Sequence, residues 1–317
     1  MPSPITREAL SFPSTDGKTQ IHGFCWSPQD AENARAVVLL SHGMEEYIER
    51  YDEFARFLAE QGFLVFGHDH LGHGESVNDP SEWGCLPVDG GATILVEDLH
   101  RLRSLAAARC KPGTPCFVFG HSMGSFVVLS YVARHGEGLA GAVICGTAFV
   151  PPATSRAGNT VARLISTVRG ARYQSTLLDN MGVGAYNKSI KNPRTRVDWL
   201  SYDEANVDAY LADEKCGFMF STGGYATLTA LTGEVCSKQS AASIPKDLPL
   251  FYISGVDDPV GLMGKGVEAS ATLARNAGVK DVGVKLYEGM RHEILNEADR
   301  QLVFEDVVSW LGKYCNS

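Results

Sequence analysis

The sequence predicts an α/β fold in which a mostly parallel β-sheet carries helices on both faces. Six short apolar runs have the length and the β-branched or aromatic content of buried strands, and longer segments with helical spacing of apolar residues separate them. Parallel strands need crossover connections, which are usually helices, so this alternation favours βα units within one sheet. With 317 residues, the chain is long enough for one such domain with an insertion.

The elements follow in a regular order after a different start. Residues 9–28 hold two short alternating segments around the letters TDGK, which predicts an antiparallel hairpin at the beginning of the sheet. Buried strands are predicted at residues 35–43, 63–70, 116–122, 140–147, 249–255 and 282–289. Helices are predicted at residues 51–62, 92–109, 125–136, 267–278 and 297–314.

The alternation is interrupted once, for about a hundred residues. No clear buried strand appears between residues 149 and 248, so we expect a core domain built from 1–148 and 249–317 and a mainly helical cap inserted between the two parts. Within the insertion, apolar spacing predicts one helix in residues 159–171 and a second in 203–220.

Composition excludes several classes of protein. The net charge of -9 argues against a nucleic-acid partner, because phosphate binding depends on a basic surface. The apolar runs are far too short to cross a bilayer, and the first twenty residues lack the pattern of a secretory signal. The eight cysteines form no CxxC pair, so we expect reduced thiols and a cytoplasmic location.

The strongest chemical signal is the segment FVFGHSMGSF at residues 117–126. Ser122 lies between Gly120 and Gly124 in the pattern G-x-S-x-G, after a predicted strand and before a predicted helix. This context is typical of a nucleophile elbow, a tight turn that exposes a serine hydroxyl above the sheet. The backbone N–H of Met123, at the helix start, is then a candidate donor to a developing oxyanion.

A serine hydroxyl is a weak nucleophile at neutral pH, so a general base and an acid that orients it are expected later in the chain. His292 lies just after the last predicted strand, within YEGMRHE, and is the candidate base. SGVDDPV ends the preceding strand, and we favour Asp258 as the acid because the proline fixes the turn directly after it. The neighbouring Asp257 remains an alternative.

A second oxyanion donor is expected in the loop after an early strand. His42 and Gly43 form an HG pair, in which glycine allows the backbone to approach the substrate closely. The backbone N–H of Met44 is the candidate donor.

Other patterns fail as cofactor or metal sites. The histidines of GHDHLGHGES are better explained by a glycine-rich turn than by metal ligation, because no carboxylate or cysteine set completes a site. RHEIL lacks the second histidine of a zinc helix, and GLMGKGV lacks residues that a phosphate-binding loop requires. We therefore expect neither a metal nor a cofactor.

Five segments together resemble the monoacylglycerol lipase and lysophospholipase group of α/β-hydrolase-fold serine hydrolases. They are SHGMEEYIERY, GHDHLGHGES, GHSMG, GVDDPV and RHEILNE, and they occur in the order of that family. The resemblance implies that the insertion is the family's cap over the active site and that the substrate is an ester of a single-chain lipid. It also implies an acyl-enzyme formed on Ser122. Glu45 and Glu46, which follow the oxyanion loop, depart from the family pattern.

Two alternatives remain open from the sequence. A peptidase or amidase of the same fold would use the same three side chains, and a catalytically silent binding protein would normally have lost one of them.

The cap segment 151–178 combines four arginines and no acid with one apolar helical face. Either the arginines form a solvated outer face, or the cap makes peripheral contact with anionic lipid surfaces. The residues concerned are Arg156, Arg163, Arg169, Arg172, Val161, Leu164, Ile165 and Val168.

Overall fold

An eight-stranded β-sheet organises the structure, a computed structural model that describes residues 5–315. The strands are β1 (Thr6–Pro13), β2 (Gln20–Ser27), β3 (Ala36–Ser41), β4 (Phe63–His68), β5 (Cys116–His121), β6 (Gly141–Cys145), β7 (Leu250–Gly255) and β8 (Val282–Tyr287). The helices are α1 (Asp52–Glu60), α2 (Gly91–Ala107), α3 (Met123–His135), α4 (Pro152–Arg169), α5 (Thr176–Met181), α6 (Glu204–Ala212), α7 (Thr222–Val235), α8 (Lys238–Ser243), α9 (Lys265–Asn276) and α10 (Arg300–Gly312).

The strand order is β1-β2-β4-β3-β5-β6-β7-β8. Strands β3 to β8 run parallel to one another, whereas β1 pairs antiparallel with β2 and β2 antiparallel with β4. The predicted fold class is confirmed, and the predicted hairpin is present. Its turn is closed by the N–H of Ser14, which donates to Thr19 O at 2.8 Å.

Helices cover both faces of the sheet because successive side chains of a strand point to opposite sides. In β3, Val37 and Leu39 belong to the apolar core under α2, α3 and α9, while Val38 and Leu40 belong to the core under α1 and α10. All six residues of β3 are buried. Strands buried on both faces are continuously apolar, which is why they were recognisable in the sequence.

Between β6 and β7 the chain forms α4 to α8. The predicted helix at 159–171 lies largely within α4, which begins earlier, and the region predicted as helical at 203–220 is α-helical only over α6. Helix α4 packs on α7, and the Asn159 amide donates to Ala226 O at 2.7 Å. The boundaries of the cap as a separate domain stay a prediction. Within residues 5–315, no helix combines the length and apolar character that crossing a bilayer requires.

Candidate active site

Ser122 occupies a sharp turn between β5 and α3. Its backbone has φ 53° and ψ -120°, a conformation that L-residues rarely adopt. The turn is held by the N–H of Ser122, which donates to Cys145 O at 3.0 Å on the neighbouring strand β6. Backbone strain of this kind persists only where the surrounding structure determines it, and it is concentrated at functional sites.

The two glycines of the G-x-S-x-G pattern are required by close backbone contacts. A Cβ atom at Gly120 would lie 2.2 Å from Gly124 O, and one at Gly124 would lie 2.1 Å from Ser41 O. Both distances are too short for a side chain, so the start of α3 can pack against β5 and the end of β3 only with glycine at these positions. The pattern therefore has a steric cause in this fold.

His292 and Asp258 come together at the carboxyl end of the sheet. His292 Nδ1 lies 2.9 Å from Asp258 Oδ2, which also accepts from the Ser254 hydroxyl at 2.9 Å. Asp258 Oδ1 accepts from the N–H of Val260 at 2.8 Å, so the turn after Pro259 fixes the carboxylate. Asp257, the alternative acid, instead accepts from the Tyr202 hydroxyl at 3.0 Å and makes no contact of this kind with His292.

Electrostatics keep Asp258 ionised. Burial alone would raise the pKa of its carboxyl, but the charge of His292 and the hydrogen bonds from His292, Ser254 and Val260 hold that pKa below its ordinary value. The carboxylate can therefore stabilise an imidazolium at His292. The opposite ring atom, His292 Nε2, is buried and has no hydrogen-bond partner within residues 5–315.

Ser122 and His292 line the same cavity, whose volume is about 70 Å³. Met44 and Met123 line it too, and both were predicted to supply backbone oxyanion donors. The loop before Met44 lies against the serine, because a Cβ atom at Gly43 would be only 3.2 Å from Ser122 Cβ. The N–H of Gly43 already donates to Glu46 Oε1 at 2.6 Å. The N–H of the next residue, Met44, therefore remains the candidate oxyanion donor of this loop.

A buried ionic network adjoins the cavity, and sequence reasoning missed it. Arg50 donates to both oxygens of Glu293, at 2.6 and 2.7 Å, and to Glu46 Oε2 at 2.8 Å. Asn206 of α6 donates to Glu293 Oε2 at 2.7 Å. Since Glu293 follows His292 directly and Glu46 holds Gly43, Arg50 ties the oxyanion loop to the histidine loop. The i,i+4 spacing of Glu46 and Arg50 was a usable signal, but nothing local pointed to Glu293.

His121, the residue before the serine, links the same network to the histidine loop. Its Nδ1 lies 3.3 Å from Glu46 Oε1 and 3.0 Å from the Tyr51 hydroxyl, and its Nε2 lies 3.2 Å from His292 O. Burial would lower the pKa of His121, but Glu46 outweighs burial and raises it above the ordinary value. A protonated ring can donate at both nitrogens and so hold the His292 backbone.

The other histidine cluster, in GHDHLGHGES, is packed beneath the oxyanion loop. His42 Nε2 accepts from the N–H of His70 at 2.8 Å, and the Ser41 hydroxyl lies 2.9 Å from His70 Nε2. Burial lowers the pKa of His68 to about 3 and that of His73 to about 4, so these rings are neutral. Among the side chains of residues 5–315, no group of three His, Cys, Asp or Glu residues is placed to hold a metal ion.

Comparison with known proteins identifies the family of the chain. The family model described as "Serine aminopeptidase, S33" matches residues 32–299. A "Monoacylglycerol lipase" of Mycolicibacterium smegmatis is 29% identical over 96% of this chain and 97% of its own, and the human "Monoglyceride lipase" is 25% identical over 92% and 86%. A carboxyl esterase from Bacillus coagulans, solved in complex with glycerol, has 30% identity and a TM-score of 0.90, covering 98% of this chain and 99% of that one. The chain therefore belongs to the serine aminopeptidase S33 family of α/β-hydrolases.

Proposed function

We propose that the protein, a carboxylic ester hydrolase, cleaves esters of single-chain lipids of the monoacylglycerol or lysophospholipid type. The observation that carries the proposal is the hydrogen bond from His292 to the buried Asp258, beside a strained Ser122 in one cavity. The monoacylglycerol lipases among the relatives, which match nearly the whole chain, support the choice of substrate class.

In the proposed reaction, Ser122 Oγ attacks the ester carbonyl while His292 Nε2 takes its proton. Asp258 stabilises the resulting imidazolium through Nδ1, and the N–H groups of Met44 and Met123 bind the oxyanion. His292 then returns the proton to the leaving alcohol, which departs as the acyl-enzyme forms. Water, activated by the same histidine, attacks the acyl carbonyl and releases the fatty acid and free Ser122.

The cavity walls suit an acyl chain, but the cavity is too small to hold one. Its lining is mainly apolar beyond the catalytic end and includes Phe126, Val183, Leu200, Leu228 and Val260. Pockets for drug-sized ligands measure roughly 300 to 1,000 Å³, several times the 70 Å³ found here. We therefore infer that the cavity widens when a lipid enters, and we expect the insertion to move because Val183 and Leu228 belong to it.

We also propose that the insertion contacts lipid surfaces. The predicted apolar face of α4 is divided in the structure: Val161 and Ile165 pack on the core, while Leu164 and Val168 are 63% and 80% exposed. Leu177 and Met181 of α5 are also exposed. Exposed apolar side chains on the insertion favour lipid contact through apolar groups.

Three arginines of segment 151–178 interact with neighbouring side chains of the protein. Arg163 pairs with Asp89 at 2.5 Å, and Arg172 with Glu82 at 3.4 Å. Arg169 lies over the ring of Tyr173. Electrostatic attraction to anionic lipid is therefore expected to be weaker than contact through Leu164 and Val168.

An amidase or peptidase activity is the second candidate, because the matching family model is described as a serine aminopeptidase. Esters and amides would use the same nucleophile and base. One panel separates the two: p-nitrophenyl esters of rising chain length, monoacylglycerols, lysophospholipids and aminoacyl anilides, with Ser122→Ala as the blank. Faster turnover of an aminoacyl anilide than of every ester would replace the lipid-ester proposal.

Labelling by a fluorophosphonate probe tests the nucleophile directly. Wild type is expected to be labelled and Ser122→Ala is not.

Vesicle binding tests the insertion. The double variant Leu164→Ser with Val168→Ser is expected to reduce binding to lipid vesicles more than the double variant Arg163→Glu with Arg169→Glu. The control is Leu302→Ser on α10, an exposed leucine outside the insertion. Equal binding by all variants would remove the lipid contact from the proposal.

A further inference from the structure

We propose that Glu45 is a specificity-determining residue, whose carboxyl group forms a hydrogen bond with a hydroxyl group of the substrate in the cavity beside Ser122. The inference rests on the proposed ester hydrolysis and names a group that a preferred ester must carry. It concerns a residue at which the sequence departs from the family pattern.

The backbone of Glu45 is strained. Its φ is 59°, in the left-handed region where a side chain is disfavoured and glycine is not. The insertion holds the backbone carbonyl of this residue: Glu45 O accepts from the Tyr210 hydroxyl and from the N–H of Gly217, both at 3.0 Å. A glycine would satisfy both hydrogen bonds without strain, so the backbone alone does not explain a glutamate here.

The side chain of Glu45 is also costly. The residue is 5% exposed, and Oε1 has no hydrogen-bond partner in the part of the chain that the structure describes. Burial of a polar group without a partner destabilises a fold. Glu46, the next residue, differs: its carboxylate contacts Gly43, Tyr51 and Arg50. Backbone strain and a buried carboxyl oxygen without a partner occur together at Glu45, which lines the cavity with Ser122, and this combination favours a role toward a ligand.

The surroundings define the ligand chemistry. Burial, and after it the charge of Asp179, raise the pKa of Glu45 to about 8, against the opposing effects of Arg196 and the N–H of Phe220. At neutral pH the carboxyl is therefore protonated and offers one donor and acceptor sites. With Asp179 nearby, an anionic group would be repelled, whereas a neutral hydroxyl can both donate and accept.

Two parts of an ester could supply this hydroxyl: the alcohol, as in a monoacylglycerol, or a hydroxylated acyl chain. Three substrates distinguish the sources, namely monolauroylglycerol, propyl laurate and propyl β-hydroxylaurate. The specificity ratio is kcat/KM for a hydroxylated ester divided by kcat/KM for propyl laurate. Each ratio is measured for wild type, Glu45→Gly, Glu45→Gln and Leu262→Gly.

For wild type we expect a specificity ratio above one for at least one of the two hydroxylated esters. That ester shows whether the recognised hydroxyl belongs to the alcohol or to the acyl chain. Glu45→Gly should reduce that ratio about tenfold, the effect of one lost hydrogen bond, and Glu45→Gln should retain most of it. Leu262 also has a positive φ, 52°, but its side chain is exposed and does not line the cavity, so Leu262→Gly relieves similar strain and should leave the ratio unchanged. Thermal unfolding of Glu45→Gly should occur at the same or a higher temperature than that of wild type.

Equal ratios in wild type and Glu45→Gly, or equal losses of kcat/KM on all three esters, would overturn the assignment and leave Glu45 a structural residue. Failure of wild type to hydrolyse any ester, with no fluorophosphonate labelling of Ser122, would overturn the proposed function and this inference together.

Discussion

Removal of the Arg50 guanidinium should destabilise the fold and slow the reaction. The Arg50 side chain is 11% exposed and lies between two carboxylates, Glu46 and Glu293, that are 4% and 3% exposed. Arg50→Met keeps the apolar stem and leaves both carboxylates buried without this cation. Loss of one partner from a buried ion pair costs about 3 to 5 kcal/mol, because the remaining charge stays desolvated. We expect the free energy of unfolding to fall by about this amount near neutral pH.

The pH dependence identifies the cause. Burial would raise the pKa values of Glu46 and Glu293, but in wild type His121 and Arg50 lower the former and Arg50 lowers the latter, so both stay ionised. Groups with lowered pKa values stabilise the fold above their unfolded pKa and lose that contribution as the pH falls. In Arg50→Met, burial raises the pKa of Glu293, whose main opposing charge is gone, whereas His121 still lowers the pKa of Glu46. Acid therefore relieves the unpaired charge of Glu293 by protonation. The difference in stability between variant and wild type should therefore shrink toward about pH 5.

Urea-induced unfolding, followed by tryptophan fluorescence at both pH values, measures this difference. The control is Arg300→Met, which removes a surface pair with Glu53 whose side chains are 32% and 64% exposed and should cost at most about 1 kcal/mol. Because Glu46 holds the N–H of Gly43, Arg50→Met should also reduce kcat on a short soluble ester by roughly 10- to 100-fold. A stability loss no larger than that of Arg300→Met, or one equal at both pH values, would refute the reasoning.

Three further outcomes are expected. Ser122→Ala and His292→Ala should each lower kcat by several orders of magnitude, and the double variant by little more, since the two side chains act as a unit; additive losses contradict this. Asp258→Asn should reduce turnover far more than Asp257→Asn, and the reverse ranking would identify Asp257 as the acid. Burial raises the pKa of Glu45 from 4.5 to about 8, so the folded state binds this proton more tightly than the unfolded state. The resulting contribution to the free energy of unfolding is fully present below pH 4.5 and is lost as the pH rises through 8. The loss is at most about 5 kcal/mol. Urea titrations at several pH values should therefore show that wild type loses stability relative to Glu45→Gln over this range. The same pH dependence of the unfolding free energy in both proteins would place the carboxyl in water.

The sheet was predictable because its signals are local. Strands buried on both faces are apolar throughout. The glycines around Ser122 are required because a Cβ atom at Gly120 or Gly124 would lie only 2.2 or 2.1 Å from a backbone oxygen. The proposed acid and base could be placed because strand ends of a parallel sheet lie at one edge. Asp258 could be preferred over Asp257 because Pro259 restricts the turn that follows.

The insertion was less predictable because its helices are buried unevenly. Helix α7 was missed: it contains Gly223 and Gly224, is rich in threonine, and is buried on several sides, so it shows no single apolar face. Gly223 is needed for packing, since a Cβ atom there would lie 2.0 Å from Leu86 O. Pairs that are distant in sequence, such as Arg50 with Glu293, leave no local pattern, and the burial of Glu45 depends on how the insertion folds over it.

The strand order has a consequence for how the chain is made. On one side of β3 the sheet grows outward in the order of synthesis, as β5, β6, β7 and β8. Strand β6 ends at Cys145 and β7 begins only at Leu250, so a growing chain presents β6 as an open apolar edge while the insertion is translated. At ~5 to 20 residues per second this interval lasts roughly 5 to 20 s. An unpaired edge of that kind is a template for association between nascent chains, so chaperone binding to ribosome-bound intermediates should peak in this interval.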